Sequence, residues 1–209
     1  MTQDEEIKKE RGGLIVISGP SGVGKGTVCK ALMKAMPDLK ISISETTRKP
    51  RGTEQNGVEY FFLEKENFEQ RIKENKYLEY AKVYENYYGT PKDYVENLRN
   101  SGYDVILEID IQGAMNVQKN NDDGVFIFIV PPSLDELEHR VRNRGTDSEE
   151  QLAIRINSAR DEIKKAVNYD YVVVNDTVEE AAKKLQTIIL AERCRTERSK
   201  NTLDNILGR

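Results

Sequence analysis

The segment Leu14 to Thr27, LIVISGPSGVGKGT, limits what this chain can fold into more than any other stretch. An apolar run, Leu14 to Ile17, turns abruptly into a glycine-rich loop that closes on Lys25 and leads into a helix-like segment, Val28 to Met36. Strand, loop and helix in that order, with Gly19, Gly24 and Lys25 in the spacing G-x-x-x-x-G-K, read as a phosphate-binding P-loop. Backbone N–H groups and a helix N-terminus surround an anion, and the lysine adds a point charge. Glycine suits the loop because the backbone must reach positive φ and admit phosphate without a Cβ in the way. Pro20, Ser21, Gly22, Val23, Gly26 and Thr27 complete the stretch.

A chain of 209 residues is long enough for one sizeable core with insertions rather than two independent domains. Charged residues make up 33% of it and the formal net charge is −4, which argues against bulk attraction to nucleic acid or an anionic membrane, so basic chemistry must be local. No apolar run approaches the roughly 18 residues of a membrane span, and Met1 to Arg11 lacks the apolar core of a signal peptide. Cys29 and Cys194 are far apart with no metal-like spacing, which suits a reduced compartment, so a cytoplasmic protein is expected.

Past Pro37, Lys40 to Ser44 alternates like a short strand, and SETTRKPR follows at Ser44 to Arg51. Arg48 and Arg51 flank Pro50, which favours an extended or turn backbone at Lys49. The pair reads either as a bidentate clamp for phosphate or carboxylate or as a solvated basic turn. From Gly57 to Gly89 the pattern changes to aromatic-rich segments, Val58 to Leu63 and Tyr77 to Tyr88, around a helix over Lys65 to Asn75. That composition suggests a β-rich insertion on an α/β core, with most of its tyrosines packing rather than binding.

A helix is predicted over Lys92 to Asn100, stopped by Gly102. VILEID, Val105 to Asp110, reads as a buried strand with a carboxylate at its C-terminal end, where open α/β sheets bind ligands, and Gln112-Gly113 opens the next helix. Val125 to Val130 is a second apolar strand, followed by a capping box, Ser133 with Glu136, for a helix through Arg144. Another capping box, Ser148 with Gln151, starts a helix carrying Arg155 and Arg160. These two arms suggest a mobile flap with a basic inner face, in which Arg142 and Arg160 read as solvated salt-bridge partners. Tyr171 to Val174 is a last strand, Val178 to Arg198 a long amphipathic helix, and Arg193 to Arg209 a solvated tail.

The constellation is a phosphate cradle, two arginine clusters and carboxylates in an aromatic insertion. It contains no Ser/Cys/His arrangement for a covalent step and no metal-ligand cluster of histidines or cysteines. Phosphoryl transfer depends mostly on positioning and electrostatics, and a phosphate nucleophile is already ionised and requires no general base. Nucleotide-to-nucleotide transfer is favoured over phosphorylation of an alcohol.

GPSGVGKGT, SETTRKPR, NGVEYFF at Asn56 to Phe62, EYAKVYENYYGT at Glu79 to Thr90, EIDIQGA at Glu108 to Ala114 and RNRGTDSEEQ at Arg142 to Gln151 resemble guanylate kinase, in that family's order. The resemblance implies a nucleoside-monophosphate-kinase-like α/β core with a parallel sheet flanked by helices (residues 13–44, 92–137 and 159–198), a GMP-binding insertion (45–91) and a helical lid (138–158), all within one domain spanning 1–209. It implies transfer of the γ-phosphoryl group of ATP to GMP, and to dGMP, with Mg²⁺ and no covalent intermediate. Ser44, Arg48, Arg51 and Tyr60 match the clamp on the GMP phosphate. Glu79, Thr90 and Asp110 match the guanine readers, and Tyr88 a second tyrosine of that pocket, by stacking or by hydrogen bonding. Residues 19–27 match the ATP-phosphate site, with Lys25 neutralising the transferring group. Arg144 and Arg155 match lid arginines that reach that group, and Arg140 is expected near adenine. Gly26 stands where P-loops carry Ser or Thr, so Thr27, directly or through water, is the expected metal contact, with Glu108 a weaker outer-shell one. The implied partners are ATP and GMP, with no nucleic acid, membrane or obligate protein partner.

Two rival readings are a guanylate-kinase-like interaction module, against which Gly24, Lys25, Arg144 and Arg155 argue, and a P-loop kinase for another monophosphate, against which Glu79 and Asp110 argue.

Overall fold

The computed structural model describes residues 10–83, 85–121, 123–143 and 148–208. In chain order, β1 (Leu14–Ser18) and α1 (Lys25–Ala35) bracket the glycine loop, followed by β2 (Lys40–Ile41), β3 (Glu45–Thr46) and β4 (Phe61–Phe62). Then come α2 (Lys65–Lys73), β5 (Tyr77–Val83), β6 (Asn86–Pro91), α3 (Lys92–Asn100), β7 (Val105–Glu108) and α4 (Ile111–Asn120). The chain continues through β8 (Gly124–Val130), α5 (Leu134–Asn143), α6 (Glu149–Lys164), β9 (Tyr171–Val174), α7 (Val178–Arg193) and α8 (Lys200–Leu207).

Five of these strands form a parallel sheet in the order β2-β7-β1-β8-β9, with β1 at its centre and buried along its whole length. Successive side chains of a strand face opposite ways, and β1 uses both faces. Ile15 and Ile17 join Val28, Leu32, Leu185 and Ile189 beneath α1 and α7, whereas Leu14 and Val16 join Val95, Ala114 and Val117 beneath α3 and α4. Each such aliphatic side chain contributes roughly 1.5–3 kcal/mol by leaving water. The unbroken apolar run at the start of the chain is therefore an element covered on both sides.

A second sheet, β4-β3-β6-β5, is built from the aromatic segment, and its strands are mixed in direction. Phe68 of α2 is fully buried against it, with Tyr77 and Tyr87 stacked on the ring at centroid distances of 4.5 and 5.3 Å. The expectation that tyrosines here mostly pack is met by these two. The strand expected over Val58 to Leu63 is ordered as β only at Phe61–Phe62, and α2 ends before Asn75, which turns at φ 54. Asparagine tolerates that left-handed conformation better than most side chains.

Helix caps follow the sequence closely. Ser148 and Gln151 form the reciprocal capping box. At α5 the Ser133 hydroxyl accepts from the Glu136 N–H, but the Glu136 carboxylate accepts from Arg140 Nε at 2.7 Å instead of turning back on the cap. The long helix expected to reach Arg198 stops at Arg193, and a 3-10 turn at Thr196–Arg198 leads into α8. Nor does the tail float free at its start, because the buried Asp104 carboxylate collects it. Asp104 accepts from the Gly13 N–H, from Arg193 Nε at 2.7 Å and from Arg198 Nη1 at 3.4 Å. A long helix continuing straight would carry Arg198 away from that buried charge.

Removing the acceptor while leaving two guanidinium groups and an amide around it is costly. Asp104→Ala is expected to lower the unfolding free energy by about 3 kcal/mol, read as a shift in denaturant midpoint at unchanged slope. An unshifted midpoint would mean that the tail contributes nothing to the core.

Candidate active site

Glycines shape the loop after β1. Gly19 and Gly24 have φ of 151° and 92°, and a Cβ at Gly19 would stand 2.3 Å from the Ile129 carbonyl oxygen of β8, so the loop passes too close to the sheet for any side chain. Gly24 is the left-handed N-cap of α1, which begins at Lys25, three residues earlier than the apolar pattern suggested. Val23 is fully buried in the core, so it contributes its backbone to the loop and its side chain to packing. No acidic residue sits in the first turn of α1 itself; the acids near its positive end come from elsewhere in the chain, Glu108 beside Gly26 and Glu162 at the Ser21 N–H.

The loop floors a cleft of about 350 Å³ that also takes in Lys25, Gly26, Thr27, Lys30 and Glu108. Lys25 Nζ folds back onto the Gly19 carbonyl oxygen at 2.6 Å. Burial pushes its pKa down, against the carboxylates of Glu108, Glu162 and Asp110. Glu108 stands against Gly26: a Cβ there would lie 3.3 and 3.6 Å from its two carboxylate oxygens, so a larger residue at 26 would require the carboxylate to shift by a few tenths of an ångström.

A second cleft, of about 240 Å³, is walled by Ser44, Tyr60, Glu79, Tyr88 and Asp110, and again by Glu108. The two clefts thus meet across one side chain. Tyr60 and Tyr88 stand edge to face with centroids 6.0 Å apart. Thr90 is fully buried behind Glu79 and donates its hydroxyl hydrogen to Glu79 Oε1 at 2.7 Å. Desolvation raises the Glu79 pKa to about 7, aided by repulsion from Asp110 and opposed by Thr90. Asp110 lies beyond the end of β7 rather than in it, as the N-cap of α4, accepting from the Gly113 N–H at 2.7 Å. Arg48 is 8% exposed and forms a two-pronged ion pair with Glu54, while Arg51 is exposed.

The remaining expected residues lie elsewhere. Arg140 ties α5 to the turn after β9, donating to the carbonyl oxygens of Asn175 and Asp176 at 3.0 and 3.1 Å as well as to Glu136. Arg155 is exposed on α6, and Arg144 lies outside the described residues. Arg142 is an exposed salt-bridge partner of Glu138 and Glu149, as expected.

Sequence reasoning passed over Glu162, a half-buried acid facing Lys25 and the Ser21 amide, and Gly113, where a Cβ would stand 2.8 Å from Glu79 Oε2. Glycine inside a helix costs about 1 kcal/mol relative to alanine, and that cost was the available signal for Gly113. A larger cleft, about 440 Å³, opens at the opposite end of the parallel sheet and is lined by paired charges such as Arg11, Arg99 and Asp123. Ligands of open α/β sheets bind outside the carboxyl ends of the strands, which is where the two smaller clefts lie.

Comparison with known proteins agrees with this arrangement. The family model described as guanylate kinase matches residues 11–192. The guanylate kinase of Clostridium perfringens (strain 13 / Type A) is 57% identical over 196 residues, covering 94% of this chain and 91% of its own. That of Caldanaerobacter subterraneus subsp. tengcongensis is 53% identical over 193 residues, covering 92% and 94%. The crystal structure of guanylate kinase from Anaplasma phagocytophilum superposes with a TM-score of 0.75 at 33% identity, over 94% of this chain and 95% of that one. With a phosphate loop facing a carboxylate-lined cleft and relatives this similar along almost its whole length, the chain belongs to the guanylate kinase family of P-loop kinases.

Proposed function

We propose that the protein transfers the γ-phosphoryl group of ATP to GMP, and to dGMP, giving ADP and GDP by direct in-line displacement. The observation that carries this reading is the shared Glu108 wall: a phosphate-binding cleft and a carboxylate-rich cleft meet there, so two nucleotides would face each other. The first cleft takes the ATP phosphates on residues 19–27, with Lys25 leaving the Gly19 carbonyl for the transferring group. The second takes GMP, its phosphate held by Ser44, Arg48, Arg51 and Tyr60, with Tyr88 against the same ligand. The attacking atom is a GMP phosphate oxygen, already ionised, so no side chain has to remove a proton.

Base choice follows from donor and acceptor count. Guanine presents N1–H and N2–H₂ donors to Glu79 and Asp110, and an O6 acceptor for the Thr90 hydroxyl, whose hydrogen is released from Glu79 as guanine takes over that carboxylate. Adenine has no N1 donor and carries an amino group in place of O6, so it leaves buried groups unpaired, a loss on the order of several kcal/mol. Residues 138–158 act as the lid, with Arg144 and Arg155 meeting the transferring group on closure and Arg140 holding the base of the lid near adenine. Closure excludes water, which would otherwise accept the phosphoryl group.

Among the described residues no group of three or more His, Cys, Asp and Glu could cage a metal. Mg²⁺ binds through few protein ligands and several phosphate and water oxygens. Thr27, directly or through water, and Glu108 beside Gly26 are the groups that would hold it, and it would neutralise phosphate charge. Free ATP and GMP in the cytoplasm are the proposed partners, without nucleic acid, membrane or an obligate protein.

Lys25→Ala is expected to lower kcat by about a thousandfold or more with an unchanged melting temperature; near-normal turnover would contradict the P-loop assignment. The raised pKa of Glu79 yields a second outcome. Below pH 7 its carboxyl becomes mostly protonated, and guanine needs it ionised, so GMP affinity should fall as pH falls, by roughly tenfold between pH 8 and pH 6. Calorimetric titration of wild type against Glu79→Gln separates this from titration of the GMP phosphate itself, since the variant lacks the carboxyl. A slope shared by both proteins would remove Glu79 from base recognition.

A further inference from the structure

Glu54 has no role in the proposed function, yet it makes a two-pronged contact with Arg48 beside the second cleft. Its two carboxylate oxygens accept from Arg48 Nη1 at 2.8 Å and Nη2 at 2.9 Å, and the Lys49 carbonyl oxygen takes a further Nη1 hydrogen at 2.9 Å. The Tyr60 and Phe62 rings stand 5.2 and 5.9 Å from the guanidinium carbon. A guanidinium offers five N–H donors in a rigid fork, so a carboxylate on the outer Nη1–Nη2 edge leaves the Nε–Nη2 edge, with two parallel N–H groups, for another planar or tetrahedral acceptor. Tyr88, a wall of the second cleft, hydrogen-bonds the same guanidinium; with both Nη1 hydrogens and one on Nη2 already donated, it does so on that remaining edge, which therefore faces the cleft and is shared between the tyrosine hydroxyl and an incoming acceptor.

Glu54 is itself held in place. It accepts from the Arg51 N–H at 2.8 Å, and its own N–H donates to the Arg51 carbonyl oxygen at 3.0 Å, closing a turn across Arg51 to Glu54. The Arg48 guanidinium, with help from the Arg51 amide, brings the Glu54 pKa down to about 2, so the carboxylate stays charged at any working pH. A carboxylate beside an anion site should weaken that site through repulsion. Its presence is understandable if it repays this by freezing a long side chain in the orientation the anion requires.

We propose that Glu54 is a positioning residue for the phosphate of the acceptor nucleotide: by occupying the outer edge of the Arg48 fork it presents the Nε–Nη2 edge to that phosphate before the nucleotide arrives. The inference rests on the second cleft being the GMP site. It separates Glu54 from a residue that merely closes the turn at Arg51, because only a positioning role is lost when the fork is lost.

A double-mutant cycle on the full-length protein tests it, with initial rates measured at varied GMP and saturating ATP, and the reverse. Glu54→Ala is expected to raise KM for GMP about tenfold or more, with KM for ATP within about twofold. Glu54→Gln retains the acceptor for the Arg51 N–H and is expected to fall between, which keeps the test available if the alanine variant unfolds. In an Arg48→Lys background, which has charge but no fork, either Glu54 substitution should change KM for GMP by less than about twofold. Equal effects of Glu54 substitution in both backgrounds, or a lower KM in Glu54→Gln, would overturn the proposal while leaving the GMP site intact. An unchanged KM for GMP in Arg48→Lys alone would overturn the placing of phosphate at Arg48, and this inference with it.

Discussion

The close pass of the glycine loop over the end of the sheet is the constraint on which the rest depends. At Gly19 there is room for no Cβ beneath the Ile129 carbonyl, and at Gly24 a Cβ would press on the Asn175 side chain, which donates to the Val23 carbonyl oxygen at 2.7 Å. The loop is therefore clamped between β8 and the end of β9. That clamp fixes where α1 begins, and hence where its N-terminus points. Because β1 is buried on both faces, the loop springs from a strand packed along its whole length. A phosphate cradle benefits from such rigidity, since donors that need not reorganise lose little on binding.

Around this fixed point the polar groups are arranged against their own comfort. Glu79 and Glu108 are carboxyls pushed toward neutrality by burial, and Lys25 is an ammonium pushed the same way. In the function proposed above, two of them gain a ligand of opposite character: donors of a purine edge for Glu79 and phosphate for Lys25. Arg48 is the reverse case, a buried cation already matched by Glu54 and two aromatic faces. The site thus combines groups whose charge is disfavoured by burial with one charge held in a set geometry, a division expected where recognition needs both a driving force and a preset geometry.

Much of this was legible in the residues, and the reasons differ by element. β1, β8, β9 and α3 were readable because long apolar runs, a proline start and a glycine stop leave few alternatives, and the phosphate loop because its glycines are demanded by φ and by close approach. The second sheet was visible as composition but not as strands, since β3 and β4 are two residues long and are held by partners distant in sequence. The break after Arg193 could not be read from periodicity, because it returns Arg198 to a buried aspartate 94 residues away in sequence. For the same reason Glu108 looked like one more acid at a strand end, and only the folded chain puts it beside Gly26 and between two clefts.

The central claim is that the carboxylate cleft selects guanine as phosphoryl acceptor opposite the ATP loop. Initial rates with ATP and, in turn, GMP, AMP, CMP and UMP at equal concentration test it most directly. The account predicts kcat/KM for GMP at least a hundredfold above that for AMP, since the Glu79, Asp110 and Thr90 groups are left unpaired by adenine. Comparable kcat/KM for AMP and GMP, or turnover with a pyrimidine monophosphate alone, would contradict it.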